Sequence, residues 1–406
     1  MVDQVVTRRT FVAGSSLAAA SLAVTTGSSA LAQASGSARV KGQPMPDGVQ
    51  LPATPDRRKR PDSVGFAIVG LGGYALNQMM PRFAQSKRAH IAAIVSGNPD
   101  KLRQVGDAYG VPSDARFSYT DFDKIASDKR IDAVYIVLPT GLHAEWAIRS
   151  FAAGKHVLCE KPMALSSKDC ERMIAAARQA KRKLMIAYRS HFEPYNLEAM
   201  RLMQDKAIGT IRLMRTEQSH RLPPTTPAEN WRVNRALAGG GPLEDYGLYG
   251  LQSALYLTGE MPETISATAF RPAGDPRFAE VYAHVSSQWQ FPSGAVAQLA
   301  TSYDSAAINF AQVRGTDGAL IMDSATGYSG QKMRIEGRNA REFSPGNPEV
   351  QFAGQLDHLA DAIRDNTPIR TPGEMGVRDL RIIEAIYAAA TSGRTVKLAP
   401  DGRMLS

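Results

Sequence analysis

Short apolar runs alternate with helix-patterned segments between residues 63 and 187. This alternation is typical of a parallel sheet with crossover helices, and strands covered by helices on both faces are expected to be apolar throughout. The pattern therefore predicts one doubly wound, Rossmann-type domain. We predict its strands at 64–69, 91–95, 131–138, 156–159 and 184–187, and its helices at 75–85, 101–109, 144–153 and 168–180.

From about residue 190 onward, longer segments alternate apolar with polar positions, which indicates an antiparallel sheet with one face in the core. We predict its strands at 210–218, 264–271, 280–291 and 295–303, followed by helices at 355–365 and 378–392. The expected fold class is α/β plus α+β. A Rossmann dinucleotide-binding domain at 62–187 precedes a substrate and oligomerisation domain at 188–406, whose sheet is large, open and mostly antiparallel.

The first 61 residues follow neither pattern. A twin-arginine signal peptide at 1–32 is indicated by Thr7-Arg8-Arg9-Thr10-Phe11-Val12, a weakly apolar stretch and Ala30-Leu31-Ala32. The alternative is a disordered or membrane-lying terminus. Residues 33–61 are rich in Pro, Gly and Ser, which predicts an extended arm, either a flexible tether or packed on a neighbouring subunit. Since the twin-arginine route exports folded proteins, we expect a periplasmic protein.

Composition agrees with two soluble domains, because the 406 residues are 43% hydrophobic and 21% charged. The formal charge of +9 is dispersed apart from Arg57-Arg58-Lys59-Arg60, which is either a polyanion site or a solvated linker. We expect no nucleic-acid partner and no stable membrane association once the signal is removed. Cys159, Cys170 and the seven histidines lack the spacing of a metal site, so no metal is expected.

A glycine-rich turn, Gly70-Leu71-Gly72-Gly73-Tyr74-Ala75, joins the first predicted strand to a helix. Gly70 permits a tight turn, Gly72 lets the backbone approach a pyrophosphate, and Ala75 allows the helix to pack closely on the strand. Amides at the start of the helix favour phosphate groups. A purely structural turn is the alternative. We predict a dinucleotide site contacted by Gly70, Leu71, Gly72, Gly73, Tyr74 and Ala75.

The end of the second strand indicates which dinucleotide binds. NAD sites usually place a carboxylate there, which bonds the ribose hydroxyls and would repel a 2′-phosphate. This chain has Ser96-Gly97-Asn98 instead, followed by Lys101. A serine hydroxyl and a lysine one helical turn later are suited to a phosphate, although Lys101 alone would pass for a surface lysine. We predict that Ser96 and Lys101 bind the 2′-phosphate of NADP(H).

Two further segments leave the carboxyl ends of predicted strands, where ligands of open α/β sheets bind. These segments contain the candidate cofactor contacts Leu138, Pro139, His143, Glu160 and Lys161. Together with the glycine turn, Cys159-Glu160-Lys161-Pro162 resembles the glucose–fructose oxidoreductase/inositol dehydrogenase family, also called Gfo/Idh/MocA. Downstream, Asp245-Tyr246-Gly247-Leu248-Tyr249-Gly250 is similar to the glucose–fructose branch, which has tyrosine where many relatives have histidine.

Sugar oxidation at C1 requires hydride departure and a base for the hydroxyl proton. A tyrosine is a poor base near neutrality unless a cation favours its phenolate. We therefore predict Tyr249 as acid/base and Lys161 as the cation that favours its phenolate and bonds the substrate oxygen. Asp245 lies four residues before Tyr249, on the same face if this segment is helical, and is predicted to orient the sugar hydroxyls. The alternatives are a surface lysine and a core tyrosine. The resemblance implies further cofactor or pocket contacts at Arg189, Trp231, Arg232 and Tyr328.

A compartment outside the cytoplasm has no maintained pool of NADP. The expected cofactor of an exported enzyme is therefore tightly bound, and a second sugar must reoxidise it. We expect a ping-pong cycle that converts an aldose to its lactone and a second sugar, an aldose or a ketose, to an alditol. Departures at Arg221-Leu222-Pro223-Pro224 and Tyr246 argue against strict use of fructose. The alternatives are an exported glycosidase of the same family, a sugar-binding protein and a conventional dehydrogenase. A homodimer or homotetramer is expected.

Overall fold

The computed structural model describes residues 43–54 and 62–405. The predicted signal peptide at 1–32 and the basic cluster at 57–60 lie outside these residues, and the predicted arm at 33–61 lies partly within them. Across the described ranges, no helix is long and apolar enough to cross a membrane.

The first sheet has six strands, and every neighbouring pair in it is parallel. Its strands are β1 (Val64–Val69), β2 (Ala89–Val95), β3 (Arg116–Phe117), β4 (Ala133–Ile136), β5 (His156–Cys159) and β6 (Leu184–Ile186). They lie in the order β3-β2-β1-β4-β5-β6, a doubly wound order in which successive strands are added on one side of β1 up to β3 and on its other side from β4 onward. The loops after β1 and β4 therefore open a crevice for a ligand.

Helices cover this sheet. They are α1 (Met80–Arg82), which continues a π-helical turn at Ala75–Met79, α2 (Pro99–Tyr109), α3 (His143–Ala152) and α4 (Ser167–Ala180). Local sequence explains the start of α2, because the Asn98 side chain accepts a hydrogen bond from the Lys101 amide and proline occupies the first turn. Gly110, with φ 66°, ends the same helix in the left-handed conformation that glycine favours.

The second sheet has nine strands. They are β7 (Ile211–Ser219), β8 (Thr264–Phe270), β9 (His284–Gln290), β10 (Val296–Ser302), β11 (Ile308–Gly315), β12 (Gly318–Asp323), β13 (Lys332–Gly337), β14 (Arg341–Phe343) and β15 (Val396–Lys397). Their order is β14-β13-β12-β11-β7-β10-β9-β8-β15, and the β7–β10 pair is parallel within an otherwise antiparallel sheet. The predicted fold class is confirmed.

The remaining helices are α5 (Pro194–Gln204), α6 (Arg235–Ala238), α7 (Leu248–Thr258), which follows a π-helical turn at Leu243–Gly247, α8 (Val350–Asp365) and α9 (Gly373–Ser392). Short 3₁₀ turns lie at Ser113–Ala115, Phe122–Ser127, Thr140–Leu142, Arg189–Phe192, Trp231–Val233 and Pro276–Phe278. The last two helices return to the first sheet, where the Ile186 amide bonds the Thr371 carbonyl at 2.9 Å. Buried residues of both sheets consequently form one continuous core.

Candidate active site

The glycine turn lies at the end of β1, where the backbone approaches the loop after β4. Gly70 has φ 98°, and a Cβ atom there would lie 2.4 Å from the Val137 carbonyl oxygen, so only glycine fits. At Gly72 a Cβ atom would meet nothing within 4 Å. The open space before this turn and the helix start behind it fit the pyrophosphate of a dinucleotide.

Ser96 and Lys101 lie beside this turn. Ser96 is 4% exposed, and its hydroxyl accepts a hydrogen bond from the Asn98 amide at 3.2 Å. Lys101 is equally buried, and its Nζ donates to the Leu71 carbonyl at 2.9 Å. Burial lowers the pKa of Lys101. Both residues are thus at the place predicted for the 2′-phosphate, and their binding of it stays a prediction.

The described part of the N-terminal arm packs on its own chain. The Asn98 side-chain amide donates to the Gln43 carbonyl at 3.1 Å, and Pro46 is the nearest neighbour of a Cβ built at Gly73, at 4.0 Å. Met45, Val49 and Leu51 also pack against the core. The prolines predicted an extended arm, but they do not indicate the surface on which it lies, so a tether and a contact with another subunit were both open.

His143 joins the loops after β4 and β5. Its Nδ1 lies 2.8 Å from the Pro162 carbonyl oxygen, and its Nε2 lies 2.8 Å from that of Leu138. Both ring nitrogens are therefore engaged with backbone, and the role of His143 shown by the structure is to fix these loops. Its predicted cofactor contact, like that of Leu138 and Pro139, stays a prediction.

The Glu-Lys-Pro segment follows β5, and its glutamate is held from one side by a tyrosine. Glu160 accepts a hydrogen bond from the Tyr135 hydroxyl at 2.5 Å and another from the Lys161 amide at 3.2 Å. Burial raises the pKa of Glu160, while the bond from Tyr135 opposes that rise. These contacts fix the backbone from which the Lys161 side chain extends.

Asp245 is the centre of a charged cluster that joins both parts of the chain. Its Oδ1 lies 3.2 Å from Lys161 Nζ, and its Oδ2 accepts from Arg232 Nε at 3.0 Å and from the Tyr303 hydroxyl at 2.9 Å. Lys161 Nζ also donates to the Asp245 carbonyl at 2.6 Å. Burial opposes ionisation of Asp245, but the charges of Lys161 and Arg232 outweigh it and hold its pKa below the usual range.

Tyr249 lies beside two cations. The Nε of Arg189 donates to its hydroxyl at 3.0 Å, and Lys161 Nζ lies 4.8 Å from the centre of its ring. Lys161 is thus near Tyr249, as predicted for the cation that favours its phenolate, and that role stays a prediction. The hydrogen bond to the Tyr249 hydroxyl comes from Arg189, while the hydrogen bonds of Lys161 go to Asp245. Arg189 was expected only to contact cofactor or pocket.

Arg189 is 4% exposed and is held by uncharged groups of the C-terminal part. Its Nη1 donates to Gln351 Oε1 at 2.7 Å and to the Gly327 carbonyl at 3.1 Å, while Nη2 donates to the Thr326 carbonyl at 2.6 Å. Its guanidinium carbon lies 4.6 Å from the centre of the Tyr328 ring. These contacts fix the cation without neutralising it.

The aromatic residues implied by the resemblance surround this cluster. Tyr328 is 40% exposed, and its ring centre lies 6.4 Å from that of Tyr74 in the glycine turn. Trp231 stacks against the Arg232 guanidinium at 4.8 Å. The structure thus brings the predicted residues of both domains together, whereas Tyr303 and Gln351 were missed. Only the position of Tyr303 at the end of a predicted strand offered a signal for either.

Comparison with known proteins identifies the family. Residues 64–188 match the GFO/IDH/MocA oxidoreductase family with an NAD-binding Rossmann fold, and residues 196–321 match the GFO/IDH/MocA C-terminal domain. The chain belongs to this family. The predicted family membership and oxidoreductase class are therefore confirmed. In the part of the chain that the structure describes, no group of three or more His, Cys, Asp or Glu residues is placed to hold a metal ion.

Individual relatives narrow the comparison. The crystal structure of aldose–aldose oxidoreductase from Caulobacter crescentus, complexed with glycerol, is 45% identical, with a TM-score of 0.80 over 83% of this chain and 100% of that one. A D-xylose 1-dehydrogenase (NADP(+)) of Haloferax volcanii is 29% identical over 82% of this chain and 99% of its own. A second D-xylose 1-dehydrogenase (NADP(+)), from Haloarcula marismortui, is 26% identical over 82% of this chain and 93% of its own. These relatives are NADP-dependent or sugar-converting oxidoreductases.

Proposed function

We propose that this chain is a periplasmic sugar oxidoreductase with tightly bound NADP(H). It oxidises an aldose to its aldonolactone and then reduces a second sugar to an alditol, in a ping-pong cycle. The proposal rests on one observation. The side chains of Lys161, Asp245, Arg189 and Tyr249 lie together near the glycine turn, which is of the type that binds dinucleotides. The 45% identity to an aldose–aldose oxidoreductase supports the same pair of half-reactions.

The residues of the site divide the work of each half-reaction. When bound, the nicotinamide cofactor supplies hydride acceptance and donation. Tyr249 takes the proton of the C1 hydroxyl during oxidation and returns a proton to the reduced oxygen of the second sugar. Arg189, whose Nε already bonds the Tyr249 hydroxyl, stabilises negative charge on that oxygen. Lys161 donates a hydrogen bond to the reacting sugar oxygen, and Asp245 orients the sugar through its hydroxyl groups.

Retention of the cofactor has two supports. The twin-arginine motif at Arg8-Arg9 implies folding before export, and an exported enzyme must then carry its own NADP(H). The arm contacts at Gln43 and Pro46 lie over Asn98 and the glycine turn, where they would slow release of a bound dinucleotide. Deletion of residues 33–61 is therefore expected to yield protein that loses NADP(H) during gel filtration, while the full-length mature protein keeps it.

The proposal is tested on protein purified without added cofactor. The absorbance band of NADPH is recorded, one sugar is added at a time, and lactone and alditol are measured in the same tube. Glucose is expected to raise the band and a second sugar to bleach it, with both products formed in equal amounts. Replacement of Tyr249 by Phe is expected to leave the bound cofactor in place and to slow turnover by about 100-fold or more.

A conventional dehydrogenase that exchanges NADP with solution is the second candidate, because the two xylose dehydrogenases are named for that activity. It would be purified without cofactor and would need added NADP for every turnover. Such a result would reject the retained-cofactor cycle. Release of a free aglycone from a glycoside, with no net redox product, would instead identify a glycosidase. We also propose a homodimer or homotetramer, which sedimentation analysis of the purified protein tests directly.

A further inference from the structure

Three aromatic side chains form a wall beside Asp245. The ring centre of His220 lies 4.5 Å from that of Tyr246 and 5.6 Å from that of Tyr303, and the rings of Tyr246 and Tyr303 are 6.1 Å apart at 85°. The hydroxyl of Tyr303 donates to Asp245, so the wall is attached to the charged cluster. We call His220, Tyr246 and Tyr303 the aromatic wall.

The parallel pair in the second sheet brings two members of the wall together. His220 follows β7 and Tyr303 follows β10, and parallel strands end at the same edge of a sheet. The amide of His220 donates to the Ser302 carbonyl at 3.0 Å, and the amide of Leu222 donates to that of Tyr303 at 2.9 Å. The pairing therefore continues past the strand ends and fixes the backbone of both residues.

A separate hydrophobic cluster supports the wall. Arg277, 8% exposed, ties its loops by donating to the Leu222 carbonyl at 3.0 Å and to Asp304 at 2.8 Å. Tyr246 packs against this cluster from the side. The buried members of this hydrophobic cluster are Leu222, Val233, Phe278, Val281, Ala283 and Tyr303. The wall thus has a packed support that is distinct from the main core, which suits a surface that must keep its shape beside a ligand.

The two ring nitrogens of His220 differ in their surroundings. Nδ1 is buried without a hydrogen-bond partner among the described residues, while the residue as a whole is partly exposed. Burial lowers the pKa of His220, which the Asp245 carboxylate opposes and the Arg232 guanidinium reinforces. The neutral ring carries one proton, and because a buried N–H without an acceptor is costly, we assign that proton to Nε2.

We propose that His220 is a specificity-determining residue, whose Nε2–H donates to a sugar hydroxyl away from the reacting carbon. The inference rests on the proposed function, which makes the ligand a sugar. Pockets for small polar ligands combine apolar or aromatic faces with a few placed polar groups, and here Tyr246 offers the face while His220 offers the donor. Tyr303 joins the two positions, because its hydroxyl bonds Asp245 at 2.9 Å and its ring centre lies 5.6 Å from that of His220, so a sugar held by Asp245 lies near His220.

Three replacements of His220 test the contact in the holoenzyme. Glutamine places its amide nitrogen near the position of Nε2, asparagine places it near Nδ1, and leucine has no donor. With glucose as the substrate, we expect His220→Leu and His220→Asn to raise KM about tenfold, the value of one lost hydrogen bond, with kcat changed less than about threefold. His220→Gln is expected to keep KM within about threefold of the wild type.

Monodeoxy sugars identify the hydroxyl that His220 contacts. KM is measured for 2-, 3-, 4- and 6-deoxyglucose with the wild type and with His220→Leu. For one of these sugars the leucine variant is expected to match the wild type, because the partner hydroxyl is already missing. An equal effect of the leucine substitution on glucose and on all four deoxy sugars would overturn the proposed hydrogen bond.

Folding and function are separated by two controls. A lowered thermal midpoint would show that a variant has lost the packing of the aromatic wall. A lowered NADP(H) content would show that its cofactor domain no longer binds the dinucleotide. Should His220→Leu fail to fold, the comparison of the Gln and Asn variants carries the test, and equal KM values for these two would reject the assignment to Nε2. If the wild type converts no sugar, the proposed function has failed. The contact is then still tested by calorimetric binding of glucose to the wild type, His220→Gln and His220→Asn. The wild type and His220→Gln are expected to bind glucose more tightly than His220→Asn does.

Discussion

The guanidinium of Arg189 donates a hydrogen bond to the hydroxyl of Tyr249 across 3.0 Å, and its carbon lies 4.5 Å from the centre of the same ring. An arginine remains protonated at every working pH, so this cation is permanent. Its remaining hydrogen bonds go to carbonyl oxygens and an amide, which leave its charge intact. Arg189 is therefore the cation that contacts the Tyr249 oxygen directly, as the proposed function requires.

Replacement of Arg189 by Lys tests this relationship. A lysine keeps the charge but cannot reach the Tyr249 hydroxyl and the carbonyls of Thr326 and Gly327 together, since it lacks the planar fork. We expect kcat to fall about 10- to 100-fold, the value of one charged hydrogen bond, with the sugar KM changed little. Single-turnover absorbance measures the rate. Arg178→Lys, at a side chain that is 74% exposed, should leave it unchanged, and an unchanged rate in the Arg189 variant would refute the role.

Replacement of Ser96 by Asp tests the choice of cofactor. A carboxylate at this buried position would repel the 2′-phosphate of NADP and bond the ribose hydroxyls of NAD. The variant is expected to be purified with NAD or without cofactor, as determined by chromatography of the nucleotide released on denaturation. Ser127→Asp adds the same charge at an exposed serine of the same domain and should retain NADP(H). NADP(H) at wild-type content in the Ser96 variant would contradict the prediction.

Replacement of Tyr303 by Phe removes one donor from Asp245 and leaves those of Lys161 and Arg232. We expect kcat/KM for the sugar to fall about tenfold and the free energy of unfolding to fall by about 1–2 kcal/mol, because Asp245 stays charged and less well held. Steady-state kinetics and urea unfolding measure the two effects. Tyr256→Phe makes the same change at a partly buried tyrosine that bonds Ser253 and Asn196. It should lose stability and keep kcat/KM; equal kinetic losses in both would argue against a specific role for Tyr303.

Glu244 makes stability depend on pH. Burial raises its pKa to about 7, against the hydrogen bonds from the Gly240 amide and the Tyr387 hydroxyl. Because the folded state holds the proton more tightly than the unfolded state, this contribution to stability is full below about pH 4.3 and is lost as the pH rises through about 7. Glu244→Gln is thus expected to be more stable than the wild type at pH 8, by up to about 3 kcal/mol, and to differ less at pH 5.

Urea unfolding at the two pH values measures the Glu244 effect. Glu374→Gln, at a side chain that is 58% exposed, is the matched control and should show no such pH dependence. A stability difference between wild type and Glu244→Gln that is the same at pH 5 and pH 8 would mean that Glu244 does not titrate in this range.

The pattern of apolar and polar positions predicted most strands of the first sheet. β1 and β5 were predicted with the bounds observed, because each is an apolar run with glycine or charge at its ends. The two residues of β3 are too few to form a pattern. α7 was missed because nearly all of its residues are buried, so it has no polar face to reveal a helical period. Strands β11 to β15 were missed as well, because no strand was predicted after residue 303.

The site was predictable where its chemistry lies in short motifs. Lys161, Asp245 and Tyr249 were found in this way, and the structure places them together. The donor to Tyr249 was not predictable, because Arg189 lies 60 residues from Tyr249 in sequence and is itself held by Gln351, which lies 162 residues from Arg189. Such contacts depend on how the two sheets pack, which spacing along the chain does not report.

The return of α8 to the first domain makes completion of the site a late event in synthesis. Asp357 accepts hydrogen bonds from the amides of Lys87 and Arg88 at 2.9 Å, and Gln351 holds Arg189. A nascent chain that has not yet emerged past α8 can form the glycine turn but cannot fix the cation beside Tyr249. Residues between the first strand and α8 thus meet at one site, so a chain that stops before α8 is expected to lack the Gln351 side chain that holds Arg189.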